Sequence, residues 1–232
     1  ICSGMDMNLG MNMEEVKNLK NWNKSTGVYV HGIGLDINRM QSPLRGQEDV
    51  RKEFDLSTDE KMIISIGELD DNKNHIIVIK ALARLERNDF KYIICGAGPN
   101  KDMLMAEAKR LGIGDHVVLA GYRSDIPDIL NAADIFVFPS YHEGMPVSAL
   151  EAMACGLPII CSEIRGNIDI VNEGDNGYLF GTSDFNTLSR KIALLMDDAG
   201  NRKNMGKKNK ELVKVFSQAA VIEELKRIYT MC

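Results

Sequence analysis

His142-Glu143-Gly144-Met145-Pro146-Val147-Ser148-Ala149-Leu150-Glu151-Ala152-Met153-Ala154-Cys155-Gly156 is the stretch that decides how this chain is read. It follows the apolar run Ile135–Phe138 and sets two carboxylates, Glu143 and Glu151, eight positions apart across a Gly-Met-Pro turn. An unbroken apolar run of that length reads as a strand buried on both faces. Pro139-Ser140 ends the strand, a loop carries Glu143, and a helix is expected to begin near Pro146. Proline at a first helical position already has the right φ and lacks only an amide hydrogen the helix would not use. A helix start presents free amide hydrogens and the positive end of a dipole, which suits an anion such as a phosphate. Glu151 falls inside that helix, where its carboxylate can accept hydrogen bonds from a hydroxylated ligand.

Outward from this segment, apolar β-rich runs alternate with longer helical patterns. Strands are expected at 27–31, 62–66, 92–95, 117–120, 135–138 and 159–161, and helices at 48–54, 75–85, 101–111, 126–132, 148–154, 185–198 and 205–229. The alternation predicts an α/β, Rossmann-like, doubly wound parallel sheet, in which ligands bind outside the carboxyl ends of the strands. Residues 27–200 would form that domain and residues 201–232 a C-terminal helical segment. The first thirty residues differ in character: 4–24 is rich in Met and Asn and helix-like only over 14–21.

The 232 residues suffice for a substantial core, and 44% hydrophobic content with mixed charge fits a globular protein and argues against disorder. A formal net charge of -5 offers no global basic field for nucleic acid. Cys2, Cys95, Cys155, Cys161 and Cys232 form no CxxC pair, and the middle three sit among apolar residues as small buried thiols. That usage suits a reducing cytoplasm. No stretch approaches the roughly 20 apolar residues of a membrane span, and no secretory signal is visible. Position 1 is not Met, which is compatible with a fragment.

The pattern of Glu143, seven residues and Glu151, followed by Ala152-Met153-Ala154-Cys155-Gly156-Leu157-Pro158-Ile159-Ile160-Cys161-Ser162, resembles the signature of retaining GT-B glycosyltransferases. More narrowly it resembles glycosyltransferase family 4, which builds bacterial capsule, exopolysaccharide and lipopolysaccharide chains. The resemblance runs from about Val28 to Tyr229 and matches the C-terminal, nucleotide-sugar-binding half of such an enzyme. It implies a hexosyltransferase-type activity that moves a sugar from a nucleotide-diphosphate sugar to a glycan or lipid-linked acceptor. Acceptor binding would belong to an N-terminal domain, of which residues 1–26 would be a remnant; a bare tail is the alternative. The segment 201–232 would cross back onto that domain. The implied location is the cytoplasm, with peripheral contact at the inner face of the membrane, to which Arg202, Lys203, Lys207, Lys208, Lys210 and Lys214 could add a weak attraction.

The resemblance also assigns residues. Glu151 would hold the nucleotide's ribose hydroxyls and Glu143 those of the donor sugar, while the backbone of Gly144, Met145 and Val147, around Pro146, would face the sugar or diphosphate. Lys73 would neutralise the diphosphate leaving group, with Gly67 ending the strand before it. The family usually carries Arg where this chain has Glu68, so Glu68 is expected to point away from a diphosphate. Gly96 and Gly98 are expected to let the backbone approach the nucleotide, and the backbone of Tyr122-Arg123 to read the base edge. From the residues alone, Gly96-Ala97-Gly98-Pro99 is also a turn, and Ser124 or Asp125 is also a cap for the helix at Ile126.

No cofactor is expected. Asp-x-Asp is absent and no His/Cys spacing suits zinc, so no metal is expected either. The full Gly-x-Gly-x-x-Gly fingerprint is missing because position 101 is Lys, which counts against a nicotinamide enzyme. Alternatives are a non-catalytic nucleotide-binding module, or a sugar-nucleotide epimerase of the same fold.

Overall fold

The computed structural model describes residues 7–10, 26–29, 31, 32 and 34–230. The helix-like stretch 14–21 lies outside them, as does most of the expected N-terminal remnant. Strands β1 (Met7–Gly10) and β2 (Thr26–Tyr29) pair with each other in parallel. The strand expected at 27–31 is therefore present as β2, but it belongs to a separate two-stranded sheet.

The main sheet comprises β3 (Lys61–Ile66), β4 (Phe90–Cys95), β5 (Val117–Gly121), β6 (Ile135–Phe138), β7 (Ile159–Ser162) and β8 (Gly177–Phe180). All six strands run parallel, in the order β5-β4-β3-β6-β7-β8. This is the doubly wound order expected of a Rossmann-like domain, and it reverses direction between β3 and β6. The crevice outside the carboxyl ends of those two strands is where such a sheet binds ligands.

Alternate side chains along each strand feed two cores. Met62, Ile64, Phe136, Phe138, Ile159 and Cys161 face one side, against helices α1 (Ile37–Met40), α2 (Gln47–Glu53), α5 (Ile126–Ala132) and α6 (Val147–Cys155). Ile63, Tyr92, Ile94, Ile135, Val137 and Ile160 face the other, against α3 (His75–Ala83), α4 (Lys101–Arg110) and α7 (Phe185–Asp197). Both faces are covered, which is why the strands read as continuous apolar runs rather than alternating ones.

Strand β8 is absent from the sequence expectation. It is short, follows Asn172-Glu173-Gly174-Asp175-Asn176 and opens with Gly177, features that read as a turn. The glycine is required by the sheet itself: a Cβ there would lie 2.4 Å from the Ile159 carbonyl oxygen. The helix expected over 205–229 is also two. Helix α8 (Ala199–Leu212) runs into a 3-10 turn, Val213–Phe216, before α9 (Gln218–Thr230) begins. The backbone of Leu35 makes the break, donating to the Phe216 carbonyl at 2.7 Å and accepting from the Gln218 amide at 3.1 Å. Asn209 of α8 is fully buried and donates to the carbonyls of Leu157 and Asn176, so the sheet domain continues past residue 200.

Candidate functional site

The loops that leave β3 and β6 meet at the reversal point. Lys73 Nζ, from the first, lies 2.6 Å from Glu143 Oε1, from the second, and the two side chains are 22% and 12% exposed. The Lys73 ammonium also sits 5.5 Å from the centroid of the Phe138 ring. The loops are joined along their backbones as well: the Asn72 carbonyl accepts from the Tyr141 amide at 2.8 Å. The Asn72 side chain donates to the His142 carbonyl at 3.2 Å and accepts from the His142 amide at 3.1 Å. Glu143 lines a cleft of about 550 Å³ with Tyr141, His142, Gly144, Ile164 and Arg165.

Ile164 and Arg165 come from the loop after β7, which the sequence reading did not single out. The signal available was positional: Arg165-Gly166 follows a buried strand at its carboxyl end. Gly166, at φ +88°, brings this loop against the Glu143–Gly144 backbone; a Cβ there would lie 2.9 Å from the Gly144 carbonyl oxygen.

The helix after Glu143 starts beside Pro146, as expected, and one residue before the expected span 148–154. Pro146 is the N-cap, at φ -81°, and α6 begins at Val147. The Val147 amide donates to the Met145 carbonyl at 2.9 Å, so it is not among the amides available to an anion, contrary to expectation. The amides of Ser148 and Ala149 have no acceptor among the described residues. Gly144 is exposed, whereas Met145 packs against Gly32. Glu151 is half-buried in α6 and has no hydrogen-bond or ion-pair partner among the described residues. Burial holds its carboxyl above the usual carboxylate range, opposed by the positive charge of Arg39.

Gly67 ends β3 with its open face against the Lys73 side chain. Gly96 and Gly98 are close-approach positions, but what approaches is this chain's own backbone. A Cβ on Gly96 would lie 1.8 Å from the Gly67 carbonyl oxygen, and one on Gly98 would lie 2.5 Å from that of Leu69. The glycines let the loop after β4 stack directly on the loop that carries Lys73. Glu68 is exposed, and its carbonyl is bonded to His75 Nε2 at 3.2 Å. His75 is buried, and desolvation pushes its pKa down to about 4, so the ring is neutral.

After β5, Tyr122 is 85% exposed. Arg123 binds Asp125 through two nitrogens at 2.8 and 2.7 Å and Glu53 at 2.7 Å. Arg45 also reaches Glu53 and Asp125, closing a four-charge network in which both carboxyls are held below their usual range. Asp125 is the N-cap of α5, yet its side chain does not cap the helix because Arg123 holds it.

The cysteines are as expected where described: Cys95, Cys155 and Cys161 are free and buried, and burial raises the first two thiols to about 12. No cluster of three or more His, Cys, Asp or Glu side chains suited to a metal occurs among the described residues. Three members of the basic run are engaged locally. Arg202 donates to the Leu195 and Met196 carbonyls, and Lys208 and Lys214 pair with Asp175 and Glu211.

Residues 46–212 match the family described as glycosyl transferases group 1. The chain is 31% identical over 195 residues to the D-inositol 3-phosphate glycosyltransferase of Corynebacterium glutamicum, covering 80% of this chain and 47% of that protein. It is 28% identical over 203 residues to the UDP-Gal:alpha-D-GlcNAc-diphosphoundecaprenol alpha-1,3-galactosyltransferase of Escherichia coli, covering 84% and 52%. Among solved structures, Anabaena Alr3699/HepE in complex with UDP superposes with a TM-score of 0.89 at 19% identity, over 97% of this chain and 63% of that one. The chain thus spans about half the length of the curated relatives it matches. Its fold is that of one half of a GT-B glycosyltransferase, and the chain belongs to the glycosyl transferases group 1 family.

Proposed function

We propose that this chain is the donor-binding half of a retaining glycosyltransferase that moves a sugar from a nucleotide-diphosphate sugar to a glycan or lipid-linked acceptor in surface polysaccharide synthesis. The observation that carries the reading is the meeting of Lys73 and Glu143 at 2.6 Å where the sheet reverses direction, beside a helix start. In this reading Lys73 and the amides of Ser148 and Ala149 stabilise the diphosphate as its bond to the sugar breaks. Preorganised donors of this kind act where negative charge develops and need no metal. Glu143 orients the donor through its sugar hydroxyls and Glu151 through the ribose. A carboxylate with a raised pKa and no partner is suited to accept such bonds.

The acceptor would be bound by the other half of the enzyme, onto which α9 would cross. Work at the cytoplasmic membrane face is part of the proposal. No described helix is long and apolar enough to cross a membrane, and Lys203, Lys207 and Lys210 are the members of the basic run with neither a hydrogen bond nor an ion pair from the side chain among the described residues. Glu68, where the family usually has Arg, favours a second reading: a module that binds nucleotide without turnover.

Calorimetry with UDP, GDP and ADP, each in EDTA and in magnesium, tests the donor site. UDP comes first, because the E. coli relative's name and the HepE complex both carry it. Binding of one nucleotide in EDTA is the expected result. Strict metal dependence, or no binding to any of the three, overturns the reading. Binding without sugar transfer by the whole protein selects the second one.

A further inference from the structure

Two asparagines flank Lys73, and each ties its loop across the reversal point. Asn72 makes the two-way pairing with His142 already described. Asn74 is 4% exposed and sits at φ 50°, in the left-handed region. Its Nδ2 donates to the Pro139 carbonyl at 3.3 Å and to the Thr182 carbonyl at 3.1 Å. One side-chain nitrogen therefore joins the loops that follow β3, β6 and β8. Few side chains meet that requirement. The backbone conformation admits Gly, Asn or Asp at low cost, and of these only Asn offers two hydrogens from one atom.

Beneath these loops a buried chain of hydrogen bonds fixes the strands. Tyr92 donates to Ser65 at 2.8 Å, and Ser65 donates to the Val137 carbonyl at 2.6 Å. Lys73 thus projects from a short span anchored on both sides. Its long flexible stem would otherwise leave the ammonium free to wander, at a cost in rotamer entropy whenever it is used.

We infer that Asn72 and Asn74 are positioning residues that hold Lys73 at a fixed separation from Glu143, so that the ammonium is preset for a diphosphate. The inference rests on the donor-site reading above. It assigns Asn74 a role as donor of two hydrogen bonds, and not as a space-filling group. Asn74→Asp keeps the shape and the tolerance for positive φ but turns an acceptor toward two carbonyls. Asn74→Gly keeps the backbone and removes both donors. Asn72→Ala removes the pairing with His142 from a half-buried position and serves if either Asn74 variant fails to fold.

The probe is inorganic pyrophosphate, titrated into the full 232-residue chain well below the melting temperature of each variant. Misplacement of a binding group by an ångström is costly, so Asn74→Asp and Asn72→Ala are expected to weaken pyrophosphate binding about fivefold or more. In a Lys73→Ala background, itself about tenfold weaker, the same changes should cost less than about twofold, because residues acting through one group are not additive. A packing role would leave Asn74→Asp near wild type, and a general loss of structure would weaken binding equally in both backgrounds; either result overturns the inference. If the unmutated chain binds no pyrophosphate, the donor-site reading fails and the inference with it. If Lys73→Ala weakens binding while the asparagine variants do not, only the inference fails.

Discussion

Glu143 stands in the way of an anion as well as beside it, and replacing it with Gln separates those two effects. Its carboxylate is 2.6 Å from the Lys73 ammonium, and both side chains are mostly shielded from water. A diphosphate that binds Lys73 must share the ammonium with this carboxylate and tolerate its negative charge nearby. Two unit charges about 6 Å apart in a medium of effective dielectric about 40 interact by roughly 1.4 kcal/mol. Some screening remains at a cleft, so a net gain of about 1–2 kcal/mol is expected when the charge is removed, or about 5- to 30-fold in affinity. Glu143→Gln should therefore bind pyrophosphate more tightly than the unmutated chain, and the gain should shrink as salt rises. The nucleotide sugar should behave differently, because Gln accepts the sugar's hydroxyls without the strength of a charged acceptor. Its affinity should rise less than that of pyrophosphate or fall. Calorimetry at two salt concentrations measures both ligands. Equal pyrophosphate affinity in the two proteins would show that the carboxylate does not compete for Lys73, and the reasoning would be refuted.

Lys73→Ala should weaken nucleoside diphosphate binding far more than nucleoside binding, and Glu68→Arg should tighten diphosphate binding by roughly 1 kcal/mol; no gain would mean that exposed Glu68 lies away from the phosphates. Glu151→Gln should weaken nucleotide binding by about 1.5–3 kcal/mol, the scale of charge-assisted hydrogen bonds. Its stability without ligand should match or exceed that of the parent at pH 7. A carboxyl whose folded pKa is raised contributes stability at low pH and loses it as pH rises, so Gln removes a cost; destabilisation with unchanged binding would mark Glu151 as structural. His75 has its pKa lowered from 6.5 to about 4 by burial, so its contribution is intact above 6.5 and is lost as pH falls toward 4. That loss amounts to about 3 kcal/mol, and urea unfolding between pH 7 and 4 should show a shallower decline in His75→Asn.

The sheet was legible because five of its six strands are predominantly apolar runs bounded by Gly, Pro or Ser, so both burial and boundaries are written locally. Gly177–Phe180 was not, because its strand character depends on pairing with β7 through a glycine that locally signals a turn. The break between α8 and α9 was hidden for the same kind of reason. The Leu35 backbone, 182 positions before Ser217, imposes it, and no residue near the break announces it. The strand near residue 27 was read correctly as extended, yet a short apolar run does not say which partner it will take.

At the site, the residues named from the sequence divide by what the structure does with their polar groups. The Arg123 side chain is engaged by Asp125 and Glu53, so its charge is accounted for within the fold. Gly96 and Gly98 are accounted for by the loop beneath them, so they need no ligand to explain them. Glu151 is the opposite case. It is half-buried, raised in pKa by desolvation that Arg39 opposes, and without a hydrogen-bond or ion-pair partner among the described residues to offset that desolvation. Lys73 and Glu143 fall between these extremes, each satisfying the other across the point where the sheet reverses. Asn72 went unremarked in the sequence, and Asn74 counted only as a neighbour that favoured a functional Lys73, because an asparagine in a loop usually means only a turn. Their importance lies in which distant carbonyls they reach, and that is settled by the strand order rather than by the spacing of residues.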